Sequence, residues 1–130
     1  MTLETTSFPN GIDGFLIDDQ AVEKTVAYTV TANTDSGKTF YTKEQIIFTL
    51  PAIEDGNIYT FVNMADDGSK YIQIAPNASD AIVWKGDAVG NKYVRNTAAT
   101  HKKGDYITVA YFAANTWQVV GCRGVWAKEA

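Results

Sequence analysis

The chain has one cysteine, Cys122, and one histidine, His101, in 130 residues. A single cysteine permits no intrachain disulfide. Cys122 closes the apolar run Val119-Val120-Gly121-Cys122, which predicts a small buried hydrophobe. A nucleophilic thiol needs a base, and the only histidine sits in a polar loop beside Lys102 and Lys103. A Cys–His dyad is therefore not expected. Positive charge is also sparse. The net charge is −4, and the densest basic cluster is His101-Lys102-Lys103. Nucleic-acid binding rests on a basic face that neutralises phosphates, so no nucleic-acid partner is expected.

Long apolar runs are missing as well. None approaches the ~20 residues of a membrane-spanning helix, so no membrane partner is expected. The N-terminal segment lacks a basic stretch followed by an apolar one, which predicts synthesis and first folding in a cytoplasm. No segment carries a helical stripe, and Ala21 to Lys24 admits at most one helical turn.

What the chain does contain reads as one domain preceded by an arm. Residues 1–25 form the arm. Thr5-Thr6-Ser7-Phe8-Pro9-Asn10-Gly11 reads as extended chain entering a turn, because Pro9 fixes φ and Asn10-Gly11 tolerates positive φ. Ile12, Phe15, Leu16 and Ile17 then stand among Asp13, Gly14, Asp18 and Asp19. So short a segment has no core of its own. Phe8, Pro9, Ile12, Phe15, Leu16 and Ile17 are expected to anchor on another chain, or to strap across their own domain.

Residues 26–130 carry the β signal. Thr25 to Ala32 alternates with period two. Lys38 to Thr42, Gln45 to Leu50, Ile58 to Met64, Tyr71 to Ile74 and Ala81 to Trp84 follow as short strands between polar turns. A weak strand lies near Tyr93. The segment ends in the hairpin Asp105 to Phe112 and Thr116 to Gly121, with Val125-Trp126 last. About eight to ten strands spaced about ten residues apart predict an all-β, compact antiparallel sandwich or barrel of jelly-roll type.

No motif for chemistry survives inspection. Gly37-Lys38-Thr39 resembles the tail of a phosphate-binding loop, but Ala32 stands where that loop needs its first glycine, and a β-type run follows instead of a helix. A hairpin turn explains it. Asp66-Asp67-Gly68-Ser69 and Asp13/Asp18/Asp19 lack the alternating spacing of a calcium loop. Neither a cofactor nor a metal is expected. Glu44, Glu54, Asp55 and Asp80 are acids of turns rather than a coherent glycosidase pair. Asn77-Ala78-Ser79 fits the glycosylation sequon, yet a cytoplasmic chain leaves it unmodified. The aromatics remain. Trp84, Tyr93, Tyr111, Trp117 and Trp126, together with Tyr106, are candidates for a subunit (trimer) interface or a ligand-stacking platform, with core packing as the default role. In Tyr106 to Phe112 both faces are apolar, which predicts a strand covered on both sides.

The order of elements resembles a family of small bacteriophage virion proteins. The resemblance runs from Val26 to Trp126. It rests on Tyr28-Thr-Val-Thr-Ala32 leading into Asp35-Ser-Gly-Lys-Thr-Phe40, then Ile47-Phe-Thr-Leu-Pro-Ala52 and Gly56-Asn-Ile-Tyr-Thr-Phe-Val62. Last come Gly104-Asp-Tyr-Ile-Thr-Val109, Asn115-Thr-Trp-Gln-Val-Val-Gly121 and Gly124-Val-Trp126. The pattern is similar to the β-modules of phage capsid decoration (cement) proteins and of some head or tail fibres. Such modules form homotrimers on the virion surface and have no enzymatic activity. The resemblance implies a decoration protein on the outer surface of the capsid, made in the bacterial host cytoplasm, with itself and the major capsid protein as partners. Fibre proteins carry long repetitive shafts, which this chain lacks. A receptor- or glycan-binding module of a tail fibre or spike is the first alternative, and a small glycosidase or lyase is a distant third.

Overall fold

The computed structural model describes residues 20–52 and 56–130. In chain order the strands are β1 (Ala21–Glu23), β2 (Tyr28–Thr29), β3 (Thr39–Thr42), β4 (Ile47–Thr49), β5 (Ile58–Asn63) and β6 (Gln73–Ala75). They continue as β7 (Ala81–Val83), β8 (Val94–Asn96), β9 (Asp105–Ala113), β10 (Thr116–Arg123) and β11 (Trp126–Lys128). One turn of 3-10 helix, Ala98–Thr100, precedes β9. Sheet A has the order β1-β3-β5-β9-β10-β7, and sheet B the order β11-β8-β6-β4-β2. The two sheets pack as an all-β sandwich.

The first six strands alternate between the sheets and pair in parallel with the strand two places on. Val22 stands beside Phe40 and Phe40 beside Phe61 in sheet A. Tyr28 stands beside Phe48 and Phe48 beside Ile74 in sheet B. Parallel neighbours need a long crossover. Here the crossover is a strand of the opposite sheet, so this half of the chain is a flattened coil. The second half closes it with antiparallel pairs, β5–β9, β9–β10, β6–β8 and β8–β11, while β7 runs parallel to β10. The β9–β10 hairpin is the one connection between described strands that stays within a sheet.

Mixed pairing thus replaces the wholly antiparallel arrangement expected from sequence. Period-two alternation is the same for parallel and antiparallel strands, and only the path of each turn separates them. The turn at Asn33–Gly37 illustrates this. It joins β2 in sheet B to β3 in sheet A and is not a hairpin. Asn33 (φ 62°) and Gly37 (φ 88°) bend it. Buried Asp35 ties it together, accepting from Tyr28 Oη (2.6 Å), Thr31 N (2.8 Å) and Lys38 Nζ (3.1 Å). Asn57 latches it from β5's approach, with Asn33 N donating to Asn57 Oδ1 at 2.7 Å. The other departure lies at Ala21–Glu23, which pairs with β3 as an edge strand instead of forming a helical turn. Three residues are too few to nucleate a helix, and the ladder satisfies their backbone.

Aromatic rings fill the space between the sheets. Phe48 of sheet B lies 4.8 Å from Phe61 and 6.1 Å from Phe40, both of sheet A. Trp117, wholly buried, packs edge-on to Tyr111 and tilted against Tyr59, with both centroids 5.6 Å away. Aromatic pairs at such spacings add roughly 0.5–1.5 kcal/mol each beyond the burial itself.

Candidate functional site

The structure places the singled-out aromatics in different roles. Trp117, Tyr111 and Trp126 belong to the core of their own chain, and the Trp126 indole donates to Arg123 O at 2.9 Å. They present no free face to a ligand. Trp84 is half-buried at the core's rim with Lys85 Nζ 5.1 Å from its ring. Tyr93 is half-buried and faces a groove. The arm residues Phe8, Pro9, Ile12, Phe15, Leu16 and Ile17 lie outside the described residues, as do Glu54 and Asp55.

One other expectation is corrected. Cys122 is exposed rather than buried. It stands opposite Ile107 in the second half of β10, past Gln118 where the pairing with β7 stops, and no described residue covers it. His101 is buried despite its polar neighbours, with Nε2 2.9 Å from Ala65 O. Its loop folds inwards because Asp105 captures Lys102 N at 3.0 Å.

Buried polar groups serve the fold. Asn63 of sheet A donates from Nδ2 to Asn96 Oδ1 of sheet B at 2.9 Å and to Lys70 O at 3.0 Å. Asn96 donates in turn to Val125 O at 3.2 Å and to the Asp105 carboxylate at 3.4 Å. The chain of bonds ties the two sheets together at one end. At Asp80 the carboxylate is buried, and neither its Oδ2 nor the Trp117 indole nitrogen has a hydrogen-bond partner. Burial pushes the Asp80 carboxyl above its usual range, and the nearby Trp117 N–H, outside hydrogen-bonding geometry, offsets only part of that. Asp66 and Asp67 are engaged by Lys103 Nζ (3.3 Å) and Lys102 Nζ (3.8 Å). Among the described residues no three His, Cys, Asp or Glu side chains gather as a metal set.

Among the described residues two surfaces are left open. The first is the outer face of sheet A. On its central strands the outward side chains are Thr39 and Tyr41 of β3, Ile58, Thr60 and Val62 of β5, and Tyr106, Thr108, Ala110 and Phe112 of β9, none of them charged. Phe112 is 62% exposed. Thr60 and Thr108 share a hydroxyl hydrogen bond of 2.8 Å across the middle, so even the polar atoms here are turned to one another. A strand read from sequence as covered on both sides therefore has no described residue laid over one of its sides.

The second is a groove of about 480 Å³ on sheet B's outer side, lined by Tyr71, Tyr93, Arg95, Ala98, Ala99, Ala127 and Glu129, among others. Arg95 of β8 stands opposite Gln73 of β6. Its guanidinium lies 4.2 Å from the Tyr71 ring centre and 4.8 Å from that of Tyr93. Its Nε (3.1 Å) and Nη2 (2.7 Å) both donate to Gln73 Oε1. Sequence reasoning singled out Tyr93 alone of this set. The signal that was there is the repeated i, i+2 spacing of Tyr71/Gln73 and Tyr93/Arg95, which places four side chains on one face once β6 and β8 are known to pair.

Comparison of the chain with protein-family models, with curated proteins and with solved structures finds no match.

Proposed function

We propose that this chain is a non-enzymatic assembly module, and in particular a phage capsid decoration protein. It forms homotrimers on the outer surface of the head and bridges neighbouring major capsid proteins. The observation that carries the reading is the uncharged, partly apolar centre of sheet A's outer face, flanked by Glu23 beside Tyr41 and Arg123 beside Tyr106, on a chain whose net charge is −4. Uncovered apolar patches on a soluble fold mark contact surfaces, and charged side chains are depleted at the centres of such contacts. The pattern of strands and turns shared with virion β-modules supports the setting.

The work done is burial. A protein–protein contact of ordinary size removes about 1,600 Å² of surface. A closed lattice repeats it many times, so weak single contacts add up to firm attachment. The arm, with Phe8, Ile12, Phe15, Leu16 and Ile17, is assigned the capsid contact, and the face of sheet A the contact between copies.

The test is the native mass of the full chain beside that of the double variant Val62→Asp/Phe112→Asp. The expected result is an oligomer for the first and a folded monomer for the second, with near-equal melting temperatures. Removing residues 1–19 should leave the oligomer intact and abolish binding to purified heads. A wild-type chain that is strictly monomeric and ignores every viral shell overturns the proposal.

A further inference from the structure

Independently of how copies assemble, we propose that the groove on sheet B binds a small monocarboxylate carried on a six-membered ring that presents an apolar face. The free edge of Arg95 is the anchor.

The guanidinium is positioned before any ligand arrives. Both tyrosine rings lie within cation–π distance of it, and Gln73 Oε1 holds one edge through two hydrogen bonds. The opposite edge, Nη1 with the second hydrogen of Nη2, makes no hydrogen bond among the described residues. No described carboxylate pairs with Arg95 either. A planar fork with two parallel N–H groups matches the two oxygens of a carboxylate. Little freedom is left to lose on binding, which favours affinity.

The rest of the groove sets the ligand's character. Tyr71, Tyr93, Ala98, Ala99 and Ala127 offer flat and mostly apolar walls, and the volume is of small-molecule size. Glu129 is the counterweight. Its Oε1 accepts from Tyr93 N at 3.3 Å, leaving a negative charge on the groove's rim. Lys128 cannot offset it, because its ammonium is spent on Ile82 O, Asp87 O and the Asp87 carboxylate. A ligand with one negative charge is tolerated there, and a doubly charged phosphate is repelled.

Two sources share this chemistry, an aromatic acid and a uronic-acid sugar. The experiment titrates sodium benzoate, methyl glucuronoside and inorganic phosphate into the full-length protein while amide NMR shifts are followed. The expected result is saturable shifts at Tyr71, Tyr93 and Arg95 with at least one carboxylate, in the millimolar range, and none with phosphate. Whichever carboxylate binds more tightly identifies the source. Arg95→Gln should weaken binding about tenfold, by loss of a charge-assisted pair. Arg95→Lys should weaken it too, since a point charge does not replace the fork. Tyr93→Leu, which keeps the arginine, guards against a variant that merely unfolds, and should also lose affinity. No saturation with either carboxylate, phosphate binding equal to theirs, or wild-type affinity in well-folded Arg95→Gln overturns the proposal.

Discussion

Gly124 lies directly against the carboxylate of Asp105, with no room between them for a Cβ. Its φ is +102°, outside the range that side-chain-bearing residues adopt readily. Asp105 cannot step aside, because it is buried and holds Lys102 N and Asn96 Nδ2. Gly124→Ala is expected to cost about 2 kcal/mol or more, through strain and the broken network. Urea unfolding of the two proteins measures it. Equal midpoints are incompatible with this contact.

Asp35 gives a pH dependence of known sign. Burial alone pushes its carboxyl up, but hydrogen bonds from Tyr28, Thr31 and Lys38 outweigh this and hold it below the usual carboxylate range. The folded state therefore prefers the ionised form. The resulting stability is fully present above about pH 4 and is lost as pH falls through the lowered folded value. Asp35→Asn should destabilise by about 1–3 kcal/mol at pH 7. Wild type and variant should converge in strong acid, as read from denaturant midpoints across pH.

Asp80 carries the opposite sign. Its carboxyl is raised by burial, so the folded state prefers the protonated form. The cost is absent below the ordinary carboxylate value and grows as pH rises through the raised one. Asp80→Asn should raise the melting temperature at pH 7 and change it little near pH 3. A loss of stability at pH 7 contradicts the burial argument.

The β9–β10 hairpin turns through Ala114 (φ 55°) and Asn115 (φ 62°), both left-handed, as a two-residue primed turn requires. Alanine is poorly suited to that conformation, whereas asparagine adopts it more readily. Ala114→Asn should add roughly 0.5–1 kcal/mol of stability. Calorimetry would show it as a rise of a few degrees.

The strands were legible because alternation is local. Lys38 to Thr42, Ile58 to Met64 and Asp105 to Phe112 each match an observed strand to within one residue at either end. Where each turn leads was not legible. Asn33-Thr34-Asp35-Ser36-Gly37 has hairpin composition, yet it crosses between layers because Asp35 and Asn57 fix its exit. The same limit hid the groove, since Gln73 and Arg95 meet only through strand pairing. It also misplaced Cys122, since an apolar run along the chain does not show where on β10 the opposite layer stops covering it. Trp117 and Tyr111 sit in the core, the default role for aromatics, because both sheets present their apolar faces there.

Because nearly every connection between described strands passes from one layer to the other, the layers are stitched by covalent chain as well as pressed together by side chains. Prying them apart means stretching backbone rather than merely wetting a core. Such a body yields little to shear, and it should unravel all at once rather than sheet by sheet.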